Sequence, residues 1–229
     1  EDAYPTALMT VGAPNFTAFD GLNSQGLALG IASVEEAEYE PPSGQSLIDL
    51  QAYRLVLETC ANVEEAVAML QDLPLAFSPQ FGTHVLLADK TGDSAVVEFL
   101  PSGVEVSRTS TPYQVMTNKH WAGPADQPTC ARYQTGTDLL RRQRGRLDTG
   151  GMLEVMFELH ESTQWTIVYD LEELSLVLTL PDDGFSKRYE FSLSDFVTRM
   201  ETTARPYHPN TQSARQSLAA IEERLPEGA

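Results

Sequence analysis

The sequence predicts an α+β fold built on largely antiparallel sheets, and three observations lead to this prediction. The predicted elements follow the order strands, helix pair, strands, helices, strands, unlike the regular alternation of a doubly wound parallel sheet. Short turns such as Lys90-Thr91-Gly92-Asp93 join neighbouring strands, as antiparallel pairing allows. No repeat and no linker rich in Pro, Gly or Ser divides the chain. We therefore expect one domain over residues 1–229, with its core at about 4–200 and a tail at 201–229.

The first part of the chain predicts strands followed by two helices. Between Thr6 and Ser33, apolar stretches at 7–11, 16–19 and 27–32 predict strands, and residues 20–26 predict a hairpin turn. The acidic segment 35–46 predicts a surface loop. Apolar residues at helical offsets predict a helix over 47–58, namely Leu47, Leu50, Leu55 and Val56. Asn62 and Glu65 form the capping box of a second helix, whose buried stripe is Val63, Val67 and Leu70.

The rest of the chain predicts two further groups of strands separated by helices. Strands are expected at 83–87, 95–100, 103–108 and 113–117, with turns at 90–93 and 101–103. An arginine-rich helix is expected over 131–146 and a short helix over 152–160. A last antiparallel meander is expected at 163–170, 175–180 and 188–192. In the tail, residues 212–224 predict one surface helix.

The charge balance excludes some functions. The chain has 15 Lys+Arg and 33 Asp+Glu, a formal net charge of 15 − 33 = −18, which disfavours a nucleic-acid partner. No apolar run approaches the roughly 20 residues that span a bilayer, so no membrane partner is expected. Only three residues are lysines: Lys90, Lys119 and Lys187. Ordinary acidic solubility and adaptation to high salt both explain this composition, and only the second predicts that added salt stabilises the fold.

The cysteines and histidines give no local pattern for a disulfide framework or a metal site. Cys60 and Cys130 are too few for a disulfide scaffold, and we expect no bridge between them. The four histidines are scattered, without a His-x-x-x-His or Cys-x-x-Cys motif. His84 lies in an apolar strand, which favours a hydrogen-bonded core histidine over a metal ligand. The prediction is therefore no metal and no cofactor.

Three polar residues stand where simple structure does not require them. Asn23 follows Asp20-Gly21-Leu22 and either adopts a turn conformation or donates its amide into a site. Asn118 ends the apolar run Val115-Met116-Thr117, where an asparagine is commonly just a turn residue. Arg132 begins a predicted helix, where the helix dipole disfavours a cation, so we expect a partner or ligand that compensates.

Six short segments together resemble a known family. They are 20–27 (Asp-Gly-Leu-Asn-Ser-Gln-Gly-Leu), 63–66, 84–98, 115–118, 131–133 and 163–166. In this order they resemble segments of the choloylglycine hydrolase family, which includes bile salt hydrolases and penicillin V acylases and is related to the acyltransferases of penicillin biosynthesis. The resemblance extends to about Ser192. It implies the N-terminal nucleophile fold, an αββα sandwich of two antiparallel sheets between helical layers.

The resemblance also implies a chemistry, the hydrolysis of a non-peptide linear amide by an N-terminal cysteine. The substrate would be a small-molecule acyl amide of the bile salt, penicillin V or N-acyl amide type. By similarity, Asn23 supplies an oxyanion-hole amide, Asn118 positions the nucleophile and the carbonyl, and Arg132 lies beside the thiolate. Preplaced N–H donors of this kind stabilise the charge that develops on a carbonyl oxygen.

The family's nucleophilic cysteine has no counterpart in this sequence. The chain begins at Glu1 without a methionine, and we expect that an upstream segment was removed or left out. Cys60 and Cys130 are not expected to replace the nucleophile. Three alternatives remain open: a piece of an amidase, an inactive homologue that binds an acyl ligand, and an interaction protein with an acidic surface. A homo-oligomer and a soluble cytoplasmic, periplasmic or secreted location also remain open.

Overall fold

The structure is a computed structural model that describes residues 3–10, 17–34, 39–40, 46–77, 82–120, 130–161 and 163–194. The chain divides into two compact units, Glu1–Asp195 and Phe196–Ala229. All the described residues belong to the first unit. The second unit, which contains the predicted helix at 212–224, lies outside the described residues, so the predicted division into core and tail stays a prediction. Among the helices described, none has the length and apolar character needed to cross a bilayer.

Six antiparallel strands form the main sheet. Its spatial order is β1-β2-β3-β6-β7-β8, with bounds β1 Thr6–Met9, β2 Asp20–Asn23, β3 Leu27–Val34, β6 Gly82–Asp89, β7 Ser94–Leu100 and β8 Gly103–Ser107. Strand β3 pairs along its whole length with β6, from Leu27↔Asp89 to Val34↔Gly82. Its pairing with β2 reaches only from Ala28 to Gly30. The last residues of β3 therefore extend beyond β2.

Two helices cover one face of this sheet. They are α1 (Asp49–Thr59) and α2 (Val63–Asp72), flanked by two short parallel strands, β4 (Leu47–Ile48) and β5 (Leu75–Ala76). Their buried faces and alternate sheet residues form the main apolar core, which includes Tyr53, Val56, Leu57, Val63, Leu70, Leu29, Val85, Leu87, Ala95, Val97 and Phe99. Because strand side chains alternate between faces, the residues between these core positions on β6 and β7 point away from the helices.

Buried polar contacts fix the helices to strand β6. The Thr83 hydroxyl donates to Asp49 Oδ2 at 2.7 Å, and the Tyr53 hydroxyl lies 2.6 Å from the same threonine. Burial raises the pKa of Asp49, partly offset by the hydrogen bond from Thr83. At the other end of β6, Asp89 Oδ2 accepts the Val63 N–H at the start of α2. A carboxylate at a helix N-terminus stabilises the helix, so both helices are locked to one strand.

A second, smaller sheet contains the meander predicted from the sequence. It has the order β11-β10-β9, formed by β9 Thr166–Asp170, β10 Ser175–Thr179 and β11 Tyr189–Ser192. The described residues also form the α-helices α3 (Ala131–Arg142) and α4 (Thr149–Glu158). Asp148 caps α4 by accepting the Gly151 N–H at 2.8 Å. The predicted α+β class with antiparallel sheets is confirmed.

The capping box at the start of α2 is also confirmed. Asn62 Oδ1 accepts the Glu65 N–H at 3.0 Å, and Glu65 Oε2 accepts the Ala61 N–H at 2.8 Å. Val63, Val67 and Leu70 are buried, as the stripe predicts. The stripe predicted for α1 is wrong at Leu55, which is 37% exposed, and at Leu47, which lies in β4 before the helix begins. The buried positions of α1 are Asp49, Ala52, Tyr53, Val56 and Leu57.

Three local predictions are wrong for physical reasons. Asp20 and Gly21 lie in β2 instead of a turn, and the chain reverses over 23–26, where Gly26 has a φ of +83°. Residues 17–19 form no strand, and 11–16 lie outside the described residues. Residues 113–117 also form no strand. Side-chain contacts of Gln114 with Ser94 and with the Ser107 carbonyl hold that last segment in place of a strand ladder. Most of the predicted acidic loop at 35–46 is not described.

Candidate active site

A chain of hydrogen bonds joins three distant parts of the sequence. Arg132 Nη2 donates to Asn118 Oδ1 at 2.7 Å. Asn118 Nδ2 donates in turn to the Ser33 carbonyl at 2.8 Å, with a longer contact of 3.4 Å to Ser33 Oγ. Arg132 and Asn118 are half-buried and Ser33 is exposed. These three residues, the Ser33–Asn118–Arg132 group, therefore form a fixed polar arrangement that solvent can reach.

Each member of the group is placed by a different element. Ser33 lies near the end of β3, beyond the part that β2 covers. Arg132 is the second residue of α3, where the helix dipole disfavours a cation. The carbonyl oxygen of the Asn118 amide accepts from this cation. Arg132 therefore has a partner, as its place at a helix N-terminus predicts, and that partner is Asn118.

A cysteine thiol lies at the same end of α3. Cys130 is the residue before the first turn of α3, and its Sγ lies 3.5 Å from the Thr117 hydroxyl. Burial raises the pKa of the thiol, but hydrogen bonds from Thr117 and from the Tyr133 and Arg132 N–H groups, with the Arg132 charge, outweigh it and lower the pKa. This thiol is therefore closer to its reactive, ionised form than an ordinary cysteine.

Asn23 does not belong to this group. Its Nδ2 donates to the carbonyls of Leu57 at 2.8 Å and Cys60 at 2.7 Å. Its Oδ1 accepts the N–H groups of Gln25 and Leu27, both at 3.0 Å. An asparagine amide has two donor hydrogens and an oxygen with two lone pairs, so all four are used within the fold. Asn23 is completely buried and has no N–H left for a carbonyl oxygen.

The distance along β3 separates Asn23 from the other two residues. Asn23 binds the N–H of Leu27 and Asn118 binds the carbonyl of Ser33, six positions apart on one strand. With a rise of about 3.3 Å per residue, that separation is about 20 Å. The prediction that Asn23, Asn118 and Arg132 meet in one cleft is therefore wrong for Asn23. The fold uses its amide to hold the C-terminal end of α1 against the β2–β3 turn.

Sequence analysis did not identify Ser33. It is a hydroxyl-bearing residue that follows the apolar run 27–32 within a strand, and this polar break was the available signal. The group that it joins is formed by residues 85 and 99 positions further along the chain, since 118 − 33 = 85 and 132 − 33 = 99. No local motif spans such a separation.

A second cluster of ligand-type side chains lies on the sheet face opposite α1 and α2. His84 Nδ1 and His120 Nδ1 each lie 3.1 Å from Glu98 Oε1, and His84 Nε2 lies 2.6 Å from the Thr117 carbonyl. His84 and Glu98 are fully buried. The predicted burial and hydrogen bonding of His84 are confirmed. The three side chains together could also hold a metal ion, which the scattered positions in the sequence did not indicate.

Asp20 lies between the two ends of β3, opposite Gly30. Its Oδ2 accepts the Trp165 indole N–H at 2.7 Å, just before β9. Burial raises the pKa of Asp20 to about 6, although the bond from Trp165 lowers it. Burial also raises the pKa of Tyr169, and the negative charge of Asp20 makes a smaller contribution in the same direction. This contact ties the two sheets together through a carboxyl that titrates near neutral pH.

A cavity of about 600 Å³ lies toward the far end of α3 from Arg132. Its lining includes Leu139, Arg142, Leu153, Phe157, Thr166 and Phe185. Arg142 is ten residues beyond Arg132, which is about 15 Å along a helix. The cavity is therefore separate from the Ser33–Asn118–Arg132 group, and none of the predicted site residues lines it.

Comparisons with known proteins show which family the sequence matches. The sequence profile of the acyl-coenzyme A:6-aminopenicillanic acid acyl-transferase family matches residues 3–145, which is more than half of the chain. That match contains Ser33, Asn118, Cys130 and Arg132. No curated protein sequence matches significantly.

Solved structures resemble the fold at low sequence identity. A penicillin V acylase from Agrobacterium tumefaciens has a TM-score of 0.56 and 21% identity, covering 72% of this chain and 63% of the acylase. A conjugated bile acid hydrolase variant from Clostridium perfringens has a TM-score of 0.65 and 14% identity, with 84% and 78% covered. An N-acylethanolamine-hydrolyzing acid amidase orthologue from Caenorhabditis elegans has a TM-score of 0.51 and 16% identity, and the match covers 82% of this chain and 81% of the amidase. The chain thus spans less than two thirds of the acylase, and these likenesses concern the fold.

Proposed function

We propose that this chain, which belongs to the acyl-coenzyme A:6-aminopenicillanic acid acyl-transferase family, supplies the oxyanion-binding part of an enzyme that hydrolyses a non-peptide linear amide. The resemblance to choloylglycine hydrolases, with their N-terminal nucleophile fold, supports this reaction class. The single observation that carries the proposal is the hydrogen-bond chain from Arg132 through Asn118 to Ser33.

The proposed role of Asn118 is to donate a hydrogen bond to the substrate carbonyl oxygen. Its bond to the Ser33 carbonyl is short at 2.8 Å, whereas its contact with Ser33 Oγ is long at 3.4 Å. A substrate oxygen can replace that long contact without disturbing the short one. Arg132 holds the amide in the orientation that aims its nitrogen at this position. A fixed donor of this kind contributes about 10²–10³-fold to the rate.

The nucleophile of the proposed reaction is an N-terminal cysteine that is not among the 229 residues. Its thiolate attacks the amide carbonyl carbon to form a C–S bond. The C–N bond then breaks as the leaving nitrogen receives a proton from the cysteine's own α-ammonium group. Water hydrolyses the resulting thioester to release the acid. The substrate class is an acyl amide of the bile salt, penicillin V or N-acyl amide type.

Mass spectrometry of two proteins tests the proposal. One is the 229-residue chain, and the other is the gene's own product extended upstream to a cysteine exposed as residue one. Each is incubated with penicillin V, a conjugated bile salt and an N-acyl ethanolamine. The proposal expects an acyl adduct and amine release only from the extended protein, and neither from its Cys→Ser variant.

Three outcomes would overturn the proposal. Turnover by the 229-residue chain, abolished by Cys130→Ser, would make Cys130 the nucleophile. An extended protein that binds these amides and never acylates would identify a ligand-binding module instead. A gene product without any upstream cysteine would lead to the same conclusion.

A further inference from the structure

We propose that His84, Glu98 and His120 form a binding site for one divalent transition-metal ion of the zinc class. One ligand-type atom from each of the three side chains lies within 4.8 Å of the other two, and Nδ1 of each histidine lies 3.1 Å from Glu98 Oε1. The inference does not depend on the proposed amide hydrolysis, because it concerns a different set of side chains.

The fold brings the three ligands together from distant positions. The register Val85↔Val97 between β6 and β7 places His84 beside Glu98. Val85 and Val97 face the core under α1 and α2, so His84 and Glu98 face the opposite side of the sheet. His120 approaches from the segment after Asn118, and its ring centroid lies 5.9 Å from that of His84. Two strands and one connecting segment therefore supply one ligand each.

The hydrogen bond to Thr117 fixes the tautomer of His84. A backbone carbonyl can only accept, so the 2.6 Å contact requires that Nε2 carry a proton and donate it. In a neutral imidazole, Nδ1 then presents a lone pair toward Glu98 Oε1, 3.1 Å away. An ionised carboxylate has no proton to give, so two lone pairs would face each other. A cation must lie between them, either a proton or a metal ion.

The arrangement matches that of metal-binding histidines. Such histidines generally donate their second ring N–H to a carbonyl or carboxylate, which orients the ring, as His84 donates to Thr117. With zinc bonds of about 2.0–2.1 Å, neighbouring ligand atoms of a tetrahedral site lie about 3.3–3.4 Å apart. Both observed Nδ1–Oε1 separations are 3.1 Å, within a few tenths of this spacing.

The donor set selects the class of metal. Two imidazoles and one carboxylate suit zinc and neighbouring first-row ions, whereas magnesium and calcium take oxygen ligands. Three protein ligands leave at least one coordination position for water or another group. The His120 side chain is 28% exposed, which gives an ion access from solvent to an otherwise buried pair.

A metal at this cluster would fix the segment that carries Asn118. His84 binds the Thr117 carbonyl and His120 is itself a ligand, so the ion would hold both sides of Asn118 against the sheet. We infer that the site is structural and that it positions the polar group described above. No step of the proposed amide chemistry is assigned to the ion.

The inference is tested by measuring zinc binding to the 229-residue chain and to variants in which no fully buried residue is changed. The protein is first treated with a chelator and then equilibrated with Zn²⁺ by dialysis. Bound metal is measured by inductively coupled plasma mass spectrometry. We expect one Zn²⁺ per chain and a rise in melting temperature on addition of zinc. His120→Gln should weaken binding at least about 100-fold, because loss of a group that merely orients a ligand costs about 10–100-fold.

Two control variants remove the alternative sites. His160→Gln deletes an exposed histidine, which stacks on Phe157 away from the cluster, and it should bind zinc normally. Cys130→Ser should also bind normally. Equal loss or equal retention in His120→Gln and His160→Gln would mean adventitious surface binding. The absence of bound zinc and of any melting shift would mean that protons alone join the three side chains. Either result would overturn the proposal.

Discussion

The two ends of strand β3 use asparagine in opposite ways. At the Leu27 end, Asn23 is completely buried and all of its hydrogen bonds go to the backbone. At the Ser33 end, Asn118 is half-buried, with a cationic side chain on its oxygen and a strand carbonyl on its nitrogen. The first arrangement can only hold the fold together. The second leaves a polar group with a charged partner where a ligand can reach it.

The two cysteines show the same contrast. The Cys60 carbonyl accepts from Asn23, and its buried thiol has a raised pKa because of burial, with a smaller contribution from Glu65. The Cys130 thiol contacts the hydroxyl of Thr117, the residue before Asn118, and its pKa is lowered. The structure leaves both as free thiols. Residue type therefore says less about function than the partners that complete its hydrogen bonds.

The largest expected effect concerns the stability role of Asn23. Asn23→Ala should lower the free energy of unfolding by about 2–4 kcal/mol, because it leaves two carbonyls and two N–H groups without partners inside the protein. Denaturant unfolding of the purified chain measures this. Asn118→Ala is the matched control and should cost less than about 1 kcal/mol, since water can replace its bonds.

A second variant removes the two hydrogen-bond donors of the Asn23 side chain but keeps its accepting oxygen. Asn23→Asp keeps an oxygen for Gln25 and Leu27 but places a carboxylate oxygen against the carbonyls of Leu57 and Cys60. It should therefore be at least as destabilised as Asn23→Ala near neutral pH. If Asn118→Ala proves as costly as either, the contrast between the two ends of β3 does not hold.

The next largest effect is a pH dependence set by Asp20. Its pKa is about 6 in the folded protein against an ordinary 3.8, so the folded state binds the proton more tightly than the unfolded state. The stability contributed by this group is therefore present at low pH and is lost as the pH rises from about 4 to about 6. The loss is about 1–3 kcal/mol, and it does not grow above that range.

Asp20→Asn should remove this dependence while keeping an oxygen for Trp165. The free energy of unfolding of the variant, relative to the wild type, should rise between about pH 4 and pH 6 and stay level to pH 8. Trp165→Phe removes a bond that lowers the pKa, so it should move the transition to higher pH. A difference that is the same at every pH would contradict this account of Asp20.

A smaller effect is expected in thiol reactivity. Cys130 should react with a thiol reagent at pH 7 at least about tenfold faster than Cys60, because its thiolate is favoured and its side chain is accessible. Peptide mass spectrometry after timed labelling measures both rates in one sample. Thr117→Val removes a hydrogen bond that lowers the pKa and should slow Cys130. Fast labelling of Cys60 would show that the Asn23 end opens in solution.

Sequence reasoning recovered the elements whose signals are local. The capping box at Asn62 and the glycine turns between β6, β7 and β8 each depend on residues a few positions apart, and these signals predicted them. The strand expected at 113–117 failed because an apolar run does not reveal that its polar contacts are made by the Gln114 side chain.

The candidate site was only partly predictable for a related reason. Arg132 lies at a helix N-terminus, where the dipole disfavours a cation, and this indicated a partner. Asn118 was a candidate because it is a polar residue at the end of an apolar run. Their contact with Ser33 depends on how β3 extends beyond β2, which no motif records. Asn23 looked equally functional in sequence, because only the fold shows that the carbonyls of Leu57 and Cys60 take its two N–H groups.

The central claim is that the Ser33 end of β3 is the reacting end. Its most direct test is the rate of acyl-enzyme formation in the extended protein that carries an N-terminal cysteine. Asn118→Ala should lower that rate by about 10²–10³-fold while changing the free energy of unfolding by less than about 1 kcal/mol. An Asn118→Ala enzyme that acylates at the wild-type rate would contradict the claim.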